Sequence, residues 1–322
     1  MNPDLSIIIV NWNSAGYLRK CLESIVNTTS GILYEIIVVD NASYDGCERV
    51  VNEYPGIAFL VQSESNRGFA RANNLGLRHA RGRVLLFLNP DTEVLGDSLT
   101  KLYHAIFSLE NPGGLGCRVL NTDGTLQTRC VQAFPTIVNQ LLDANFIRNL
   151  IPKSRLWGMS SLFGGDETGC EVEAIAGSCL MVRREPFERV GLFSEEYFMY
   201  AEDLDLCYKM RQGGYRNYHL GGASIIHHGG GSTKTTGESA FSAVLMRESV
   251  RKFLRKFHGI TYSHLYVFST QVSSVMRIVL ILLLFPVSAF KKLKQKNLRN
   301  SLNKWQGIFL WSIGRQVWVK RP

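Results

Sequence analysis

The sequence predicts an α/β fold in which a mixed, mostly parallel sheet carries helices on both faces. Short continuous apolar runs rich in Ile and Val, such as those at 5–10 and 35–39, are typical of strands buried on both faces. Between these two runs, residues 17–25 place apolar side chains at helical spacing. This alternation of strand and helix favours parallel strands joined by helical crossovers.

The remaining elements follow from the same two periodicities. Strands are predicted at 57–61 and 83–88, with helices at 46–53 and 70–80. Beyond residue 91 the pattern loosens, and residues 121–170 are loop-rich. The later predictions are helices at 97–109 and 203–212, and strands at 113–118, 173–183 and 223–227.

The charge divides the chain into two regions. The 322 residues carry a net charge of +9, yet residues 236–322 hold 15 Lys/Arg against two acids. Residues 1–235 are therefore net acidic. A basic region of this kind suits an anionic membrane surface or a nucleic acid. We predict an α/β body at 1–235 and a basic, amphipathic or hydrophobic, helical membrane-associating region at 236–322.

The basic region contains two segments of membrane type. Residues 246–257 form an amphipathic helix with one basic face, and both a membrane surface and a protein core could receive its apolar face. Ile278–Phe290 is an almost uncharged run, shorter than the roughly 20 residues that span a bilayer. Lysines follow it at 291–296. We therefore predict a re-entrant or interfacial anchor, with Trp305, Trp311 and Trp318 also at the interface.

Polar clusters follow four of the predicted strands, at 11–14, 40–43, 89–93 and 227–228. The carboxyl ends of parallel strands gather at one sheet edge, where ligands bind. Asp91 lies just past a buried strand that Pro90 ends. A carboxylate there could bind a magnesium or manganese ion that bridges a diphosphate. An ordinary Asx turn is the alternative for this stretch.

Other residues have both a chemical and a structural interpretation. Glu202 and Asp203 could include a general base, or could be acids in the first turn of a helix. Asp40 could accept a hydrogen bond from a base or ribose, or cap a helix. Arg67 could reach a phosphate, or be solvated. His227 could complete a metal site with Asp91, and the glycines after it could let a loop close over a diphosphate.

Several function classes are excluded or disfavoured by missing motifs. There is no G-x-x-x-x-G-K-[ST] loop, and no G-x-G-x-x-G follows the first strand, which disfavours a nicotinamide dehydrogenase. The seven cysteines form no C-x-x-C pair, so a zinc ribbon is not indicated. The body is net acidic and has no recognised nucleic-acid motif, so no nucleic-acid partner is predicted.

Taken together, these motifs resemble the inverting family 2 glycosyltransferases with a GT-A (Rossmann-like nucleotide-diphospho-sugar transferase) fold. The resemblance is strongest to the branch that contains bacterial rhamnosyltransferases and related galactofuranosyltransferases. It covers roughly residues 5–235. The matching strings are Ile8–Ser14, Val38–Ser43, Asn66–Phe69, Leu88–Thr92, Ala176–Arg184, Phe198–Leu206 and His227–Ser232.

The resemblance implies roles for individual residues. Asp203 matches the catalytic base, with Glu202 as the second choice. Asp91 and His227 match the ligands of Mg2+ or Mn2+, and His227 fits the pattern H-x-G-G-x-S better than His228 does. Asn89 stands where a D-x-D motif has its first carboxylate, which is a departure. The implied donor-binding residues are Asn11, Asn13, Asp40, Asn41, Arg67, Asn73, Asn89 and Asp91.

The implied activity is metal-dependent transfer of a sugar, with L-rhamnose from dTDP-rhamnose as the first choice of donor. The acceptor would be a lipid-linked, polyprenyl-diphosphate saccharide in bacterial cell-envelope polysaccharide synthesis. The enzyme would lie on the cytoplasmic face of the inner (plasma) membrane as a peripheral or monotopic protein. The alternatives are a galactofuranosyl- or hexosyltransferase that uses a UDP-sugar, and a catalytically idle nucleotide-sugar-binding membrane protein.

Overall fold

The structure is a computed structural model that describes residues 2–143, 145–163, 168–229, 240–284 and 292–316. The chain forms two compact units. The first comprises Met1–Phe134, Asn149–Phe198 and Glu202–Lys234, and the second comprises Pro135–Arg148, Met199–Ala201 and Thr235–Pro322. The predicted division at 235/236 differs from this grouping in two segments, 135–148 and 199–201.

The first unit contains the strands. They are β1 (Leu5–Asn11), β2 (Tyr34–Asp40), β3 (Ala58–Gln62), β4 (Val84–Leu88), β5 (Thr92–Leu95), β6 (Pro112–Leu120), β7 (Val131–Gln132), β8 (Cys170–Val172), β9 (Ala174–Ile175), β10 (Cys179–Arg183) and β11 (Arg216–His227). The chain's helices are α1 (Ala15–Thr28), α2 (Cys47–Val51), α3 (Phe69–Leu77), α4 (Ser98–Ser108), α5 (Ile137–Leu141), α6 (Asn145–Leu150), α7 (Arg184–Arg189), α8 (Glu202–Gln212), α9 (Ala240–Leu284) and α10 (Lys292–Ser312).

The main sheet has the order β3-β2-β1-β4-β10-β6-β11-β5, and β8 pairs with β11 outside this path. The strands β3, β2, β1 and β4 are parallel neighbours, and every residue of β1 and β4 is buried. Strand β10 is antiparallel to both its neighbours, whereas β11 runs parallel to β6. Among the described residues, six of the nine strands therefore point the same way, which confirms the mixed, mostly parallel sheet.

Two strands differ from their predictions, and three strands, β5, β7 and β8, are additional. The predicted strand at 173–183 is divided into β9 and β10 by Ala176–Ser178. Strand β11 begins at Arg216, before its predicted start at residue 223. The prediction began too late because the first residues of the strand include the polar Asn217 and His219, which are buried. Strand β5 has only four residues and directly follows a turn, which is too short for a periodic signal.

In the second unit, α9 consists of two helical segments separated at Gly259, whose φ of 88° only glycine adopts readily. The first segment buries Val250, Phe253 and Leu254. The indole Nε1 of Trp311 donates to the Glu248 carboxylate at 2.9 Å, so α10 packs against this segment. The amphipathic helix of the basic region is thus packed in a protein core rather than laid on a membrane by its apolar face.

The second segment of α9, residues 260–284, has the opposite arrangement. Its buried residues include Ser263, Thr270 and Ser274, and the Ser274 hydroxyl donates to the Thr270 carbonyl at 2.7 Å. Its exposed residues are Thr261, His264 and eleven large apolar residues: Ile260, Leu265, Phe268, Val272, Val275, Met276, Val279, Leu280, Leu282, Leu283 and Leu284. By length and composition alone, α9 could cross a membrane.

Two of the tryptophans predicted at a membrane interface are placed differently. Trp305 and Trp311 are buried inside the second unit, so that prediction is wrong for them. The physical reason is that the Arg277 guanidinium stacks on the Trp305 ring at 4.5 Å, and Trp311 has Glu248 as a partner. Trp318, the predicted glycine loop at 230–232, the end of the predicted anchor at 285–290 and the lysine side chains at 291–296 lie outside the described residues.

Candidate active site

The first cluster lies where β1 and β2 end side by side. Asn11 and Asp40 are register partners, and both side chains are almost fully buried. The Asn11 amide Nδ2 donates to Asp40 Oδ1 at 3.2 Å. Gln62, the register partner of Asp40 on β3, donates to Asp40 Oδ2 at 3.0 Å. The three strand ends are thus tied together through one carboxylate.

The Asp40 carboxylate also organises the turn that follows β2. It accepts hydrogen bonds from the Ser43 hydroxyl, from the Ser43 amide at 3.3 Å and from the Tyr44 amide at 3.1 Å. Burial alone would raise the pKa of Asp40, but the bonds from Ser43, Tyr44, Gln62 and Asn11 prevail and hold the pKa below its usual value. Ala42 and Tyr44 have positive φ, so the turn is strained and Asp40 stabilises it. Its contact with a donor base stays a prediction.

Asp40, Asp45 and Cys47 bring three ligand-type atoms within 4.8 Å of one another. Each carboxylate, however, accepts N–H bonds: Asp45 accepts from the Ala15 amide at 2.8 Å and from the Cys47 amide at 3.2 Å. Burial raises the pKa of the Cys47 thiol to about 12, so the thiol keeps its proton. The cluster is therefore explained as a hydrogen-bonded turn rather than a metal site.

Two predicted donor-binding amides have structural contacts. Asn41 is buried, and it fixes the turn before α3 by donating to Asn66 Oδ1 at 3.0 Å and accepting from the Arg67 amide at 2.9 Å. Asn73 is buried in α3 and donates to the Phe69 carbonyl of its own helix at 3.0 Å. These contacts give both residues a role in the scaffold, and their contact with the donor stays a prediction.

Two other predicted donor-binding residues are open to solvent. The Arg67 side chain is exposed at the start of α3, and Asn13 is exposed with a φ of 53° just past β1. Gly68 is required here, because an added Cβ would lie 2.1 Å from the Phe198 carbonyl oxygen. The Phe69 amide donates to that same oxygen at 2.9 Å. Two of the motifs quoted above, 66–69 and 198–206, are therefore in direct contact.

The second cluster lies past the ends of β4 and β11. The imidazole Nε2 of His227 is 3.2 Å from Asp91 Oδ1 and 3.4 Å from the Asn89 amide Nδ2. His228 points elsewhere, because its Nε2 pairs with Glu93 at 2.7 Å and its ring contacts Tyr17. The structure thus brings Asn89, Asp91 and His227 together, as the sequence predicted, and separates His228 from them.

This cluster fits a divalent cation. A carboxylate oxygen and an imidazole nitrogen that converge at 3.2 Å can bond to one ion, and such oxygen and nitrogen ligands suit Mn2+, while Mg2+ prefers the oxygen. His227 Nδ1 has its own partner, Gln127 Oε1, at 3.0 Å. Gln127 was not predicted, since it lies in the loop-rich stretch and follows no predicted strand end.

The third cluster contains the predicted base at the start of α8. Asp203 is half-buried, and its carboxylate accepts from the Gly177 amide at 2.9 Å and from the Leu204 amide at 2.8 Å. The backbone carbonyl of the neighbouring Ser178 accepts a hydrogen bond from the backbone N–H of Asn89 at 3.1 Å. Asp203 is therefore connected through residues 177 and 178 to the strand end that carries Asp91.

The two acids at 202 and 203 have different environments. Burial raises the pKa of Asp203, and the amide bonds from Gly177 and Leu204 partly offset that effect. Burial, followed by the charge of Asp203, raises the pKa of Glu202 well above its usual value. Glu202 Oε2 has no hydrogen-bond partner in the described part of the chain. Of the two acids, Glu202 therefore binds its proton more tightly, and Asp203 is the one that ionises more readily.

Asp205, the third acid of this stretch, is a structural residue. It is fully buried and accepts from the Ser194 hydroxyl at 2.6 Å and the Tyr197 hydroxyl at 3.2 Å. Lys209 Nζ lies 3.2 Å from its carboxylate. Its role is thus to hold the segment before α8.

The sheet and its edge of polar strand ends define a GT-A glycosyltransferase fold. A solved structure with the same fold is the mannosyltransferase PcManGT from Pyrobaculum calidifontis in complex with GDP-Man and Mn2+. Its TM-score is 0.58 at 17% sequence identity, and the match covers 100% of this chain and 89% of that chain. The fold class predicted from the sequence is confirmed.

The chain belongs to glycosyl transferase family 2, because residues 6–191 match that family's profile. It is 27% identical over 252 residues to the low-salt glycan biosynthesis hexosyltransferase Agl10 of Haloferax volcanii, covering 76% of this chain and 73% of the relative. It is 28% identical over 233 residues to the rhamnosyltransferase WbbL of Escherichia coli K12, covering 69% and 82%.

A third relative is the N-acetylglucosaminyl-diphospho-decaprenol L-rhamnosyltransferase of Mycobacterium tuberculosis. It is 26% identical over 249 residues, which cover 72% of this chain and 78% of the relative. The family assignment and these relatives confirm that the protein is a glycosyltransferase.

Proposed function

We propose that the protein is an inverting, metal-dependent glycosyltransferase that moves L-rhamnose from dTDP-rhamnose to a lipid-linked saccharide. The observation that carries this proposal is the connection of Asp203, through Gly177 and Ser178, to the end of β4, after which Asp91 lies 3.2 Å from His227. A base and a diphosphate site on one sheet edge are what glycosyl transfer requires. Two relatives named as rhamnosyltransferases support the sugar.

The proposed reaction is one in-line displacement. The Asp203 carboxylate takes the proton of an acceptor hydroxyl as that oxygen bonds to the anomeric carbon, and the bond from that carbon to the diphosphate breaks. The amides of Gly177 and Leu204 hold the carboxylate in place. Mg2+ or Mn2+, held by Asp91 and His227, would supply positive charge for the departing diphosphate. A single displacement inverts the anomeric configuration without a covalent enzyme intermediate.

Other donors and an idle protein are the competing functions. A UDP-hexose or UDP-galactofuranose would use the same metal and base, and one relative is named only as a hexosyltransferase. A catalytically idle nucleotide-sugar-binding protein is disfavoured, because Asp91, His227 and Asp203 are all present and arranged around one edge.

A donor screen tests the proposal. Purified protein in detergent would be incubated with dTDP-rhamnose, UDP-galactofuranose or UDP-hexoses, with Mn2+ or Mg2+, and with or without a bacterial lipid extract. We expect release of dTDP that requires both the metal and the extract. Release of UDP instead would replace the donor assignment. Binding of donors without release of any diphosphate would support the idle protein.

We further propose that the acceptor is reached at a membrane, on its cytoplasmic face, through the exposed face of residues 260–284. In this segment Ser263, Thr270 and Ser274 are buried, whereas most of the exposed side chains are large and apolar, which suits contact with lipid rather than with water. The lysine-rich sequence at 291–296 would favour anionic headgroups. A lipid-linked acceptor, named for the mycobacterial relative, would be presented at such a surface.

Vesicle co-sedimentation tests the membrane surface. The double variant Phe268→Glu/Met276→Glu changes two residues that are 64% and 61% exposed. We expect it to bind anionic vesicles about tenfold more weakly or worse, since each apolar side chain contributes about 1.5–3 kcal/mol when buried in lipid. Leu33→Glu, at a residue of the first unit that is 53% exposed, is the matched control. Equal binding by all three proteins would contradict the assignment.

A further inference from the structure

The Gln127 side chain uses both ends of its amide on a single residue. Its Oε1 lies 3.0 Å from His227 Nδ1, and its Nε2 donates to the His227 backbone carbonyl at 2.6 Å. The Gln127 backbone is itself fixed, because its amide donates to the Val119 carbonyl of β6 at 2.8 Å. Gln127 therefore holds His227 from a rigid position beside the sheet.

This pair of contacts determines which imidazole nitrogen carries the proton. A backbone carbonyl only accepts, so the Gln127 nitrogen faces it and the Gln127 oxygen faces Nδ1. An amide oxygen also only accepts, so Nδ1 carries the hydrogen. When the imidazole is neutral this is its only ring hydrogen, so Nε2 then keeps its lone pair.

The lone pair of Nε2 points into the predicted metal site. Asp91 Oδ1 lies 3.2 Å away, and the Asn89 amide, a donor, lies 3.4 Å away. Two acceptor atoms at such a separation repel unless positive charge lies between them. Asp91 and His227 therefore place an oxygen and a nitrogen where both could bond to one cation, with the neutral imidazole in the ligating tautomer.

We propose that Gln127 is a positioning residue that presents Nε2 of His227 to a divalent cation by fixing its tautomer and ring orientation. The inference rests on the proposed metal site, and it deepens it by adding a residue that the chain's motifs did not indicate. Partners that accept the second N–H of a histidine ligand typically contribute 10–100-fold to metal affinity. Gln127 is expected to contribute in that range.

The test measures Mn2+ affinity by electron paramagnetic resonance, without donor or acceptor. Gln127→Leu removes both contacts, and we expect 10–100-fold weaker Mn2+ binding. Gln127→Glu keeps an acceptor for Nδ1 but loses the donor to the carbonyl, so it should bind within a few-fold of the wild-type protein. Gln212→Leu, at an exposed residue of α8, is the matched control and should bind as the wild type does. Melting temperatures would verify that all variants are folded.

A second readout follows the tautomer itself. In protein with 15N-labelled histidine, without metal and at alkaline pH, we expect His227 to show Nδ1–H in the wild type and a mixture of tautomers in Gln127→Leu. Unchanged Mn2+ affinity in Gln127→Leu, or a loss in Gln127→Glu as large as in Gln127→Leu, would overturn the role of Gln127. Absence of Mn2+ binding by the wild type would instead overturn the metal site of Asp91 and His227.

Discussion

Replacing Asp203 by Asn removes the proposed base while it keeps the shape of the side chain. The Asn carbonyl can still accept from one of the two amides, Gly177 or Leu204, which now lie at 2.9 and 2.8 Å from the carboxylate. The amide NH2 faces the other N–H, so one hydrogen bond is lost, at about 1–3 kcal/mol. Because burial raises the pKa of Asp203, loss of the buried charge offsets part of this cost.

The effect on turnover should be much larger than the effect on folding. A positioned general base contributes about 10²–10⁴-fold, which corresponds to about 2.7–5.5 kcal/mol of activation free energy at about 1.4 kcal/mol per tenfold. We expect kcat for nucleoside-diphosphate release to fall by that factor, while the KM for the donor changes little. Steady-state release of the diphosphate, with metal and lipid extract, measures both constants.

Asp205→Asn is the matched control on the same helix. It removes the charge of the fully buried Asp205 from beside Lys209, whose side chain is 15% exposed, and breaking a buried ion pair costs about 3–5 kcal/mol. We expect a lower melting temperature and nearly normal kcat per folded molecule, which is the reverse of the Asp203→Asn result. A loss of less than tenfold in Asp203→Asn, or equal losses in both variants, would refute the assignment of the base.

Three further predictions follow from the same edge. Asp40→Asn should lower the free energy of unfolding by about 3–6 kcal/mol, because its NH2 would face two N–H donors that now bind a charge. Because the folded-state pKa of Asp40 is lowered, this stabilisation is complete above the unfolded pKa, so in urea titrations the deficit should begin to shrink near about pH 4 and disappear only as the pH falls through the lower folded-state pKa. Glu202→Gln should have a larger free energy of unfolding than the wild type at pH 8, by about 1.4 kcal/mol for each unit by which the pKa of Glu202 is raised, and should therefore melt at a higher temperature. This difference in stability should disappear below about pH 4, where Glu202 is protonated in both the folded and the unfolded state. A difference that is constant with pH would contradict the raised pKa. Asn89→Asp should bind Mn2+ more tightly, since it adds a carboxylate beside His227 Nε2, and unchanged affinity would place the ion elsewhere.

Most of the polar residues at the carboxyl edge of the sheet could be predicted, because the end of a buried strand can be recognised from the neighbouring sequence. Each of Asn11, Asp40 and Asp91 directly follows or ends an apolar run, and the shared direction of β1, β2 and β4 brings the three residues to one side. The assignment of roles within the edge came from the resemblance to a family rather than from any periodicity. His227 was separated from His228 only by that resemblance.

The contacts that were missed are long-range or irregular. Gln127 is 100 residues from His227 and belongs to a stretch with no repeating pattern. Gly177 lies in the gap between β9 and β10, which the sequence presented as one strand. Nothing in the sequence around Gln127 or Gly177 indicates that they contact His227 and Asp203, so these contacts are seen only in the structure.

The exposed apolar face of residues 260–284 extends beyond the predicted anchor for a different reason. The uninterrupted apolar run at 278–290 indicated an anchor, whereas the exposed apolar face begins at Ile260. Ser263, Thr270 and Ser274 interrupt that face in sequence but lie on its buried side. A linear run of hydropathy mixes the two sides of a helix, and the contacts of α9 separate them.

The most direct test of the account is a crystal structure of the protein with Mn2+ and a nucleoside diphosphate. We predict one ion bonded to a carboxylate oxygen of Asp91 and to Nε2 of His227, at about 2.0–2.3 Å, with the diphosphate bound to the same ion. Gln127 should keep its contact with Nδ1 in that complex. An ion among Asp40, Asp45 and Cys47, or a diphosphate bound away from Asp91 and His227, would contradict it.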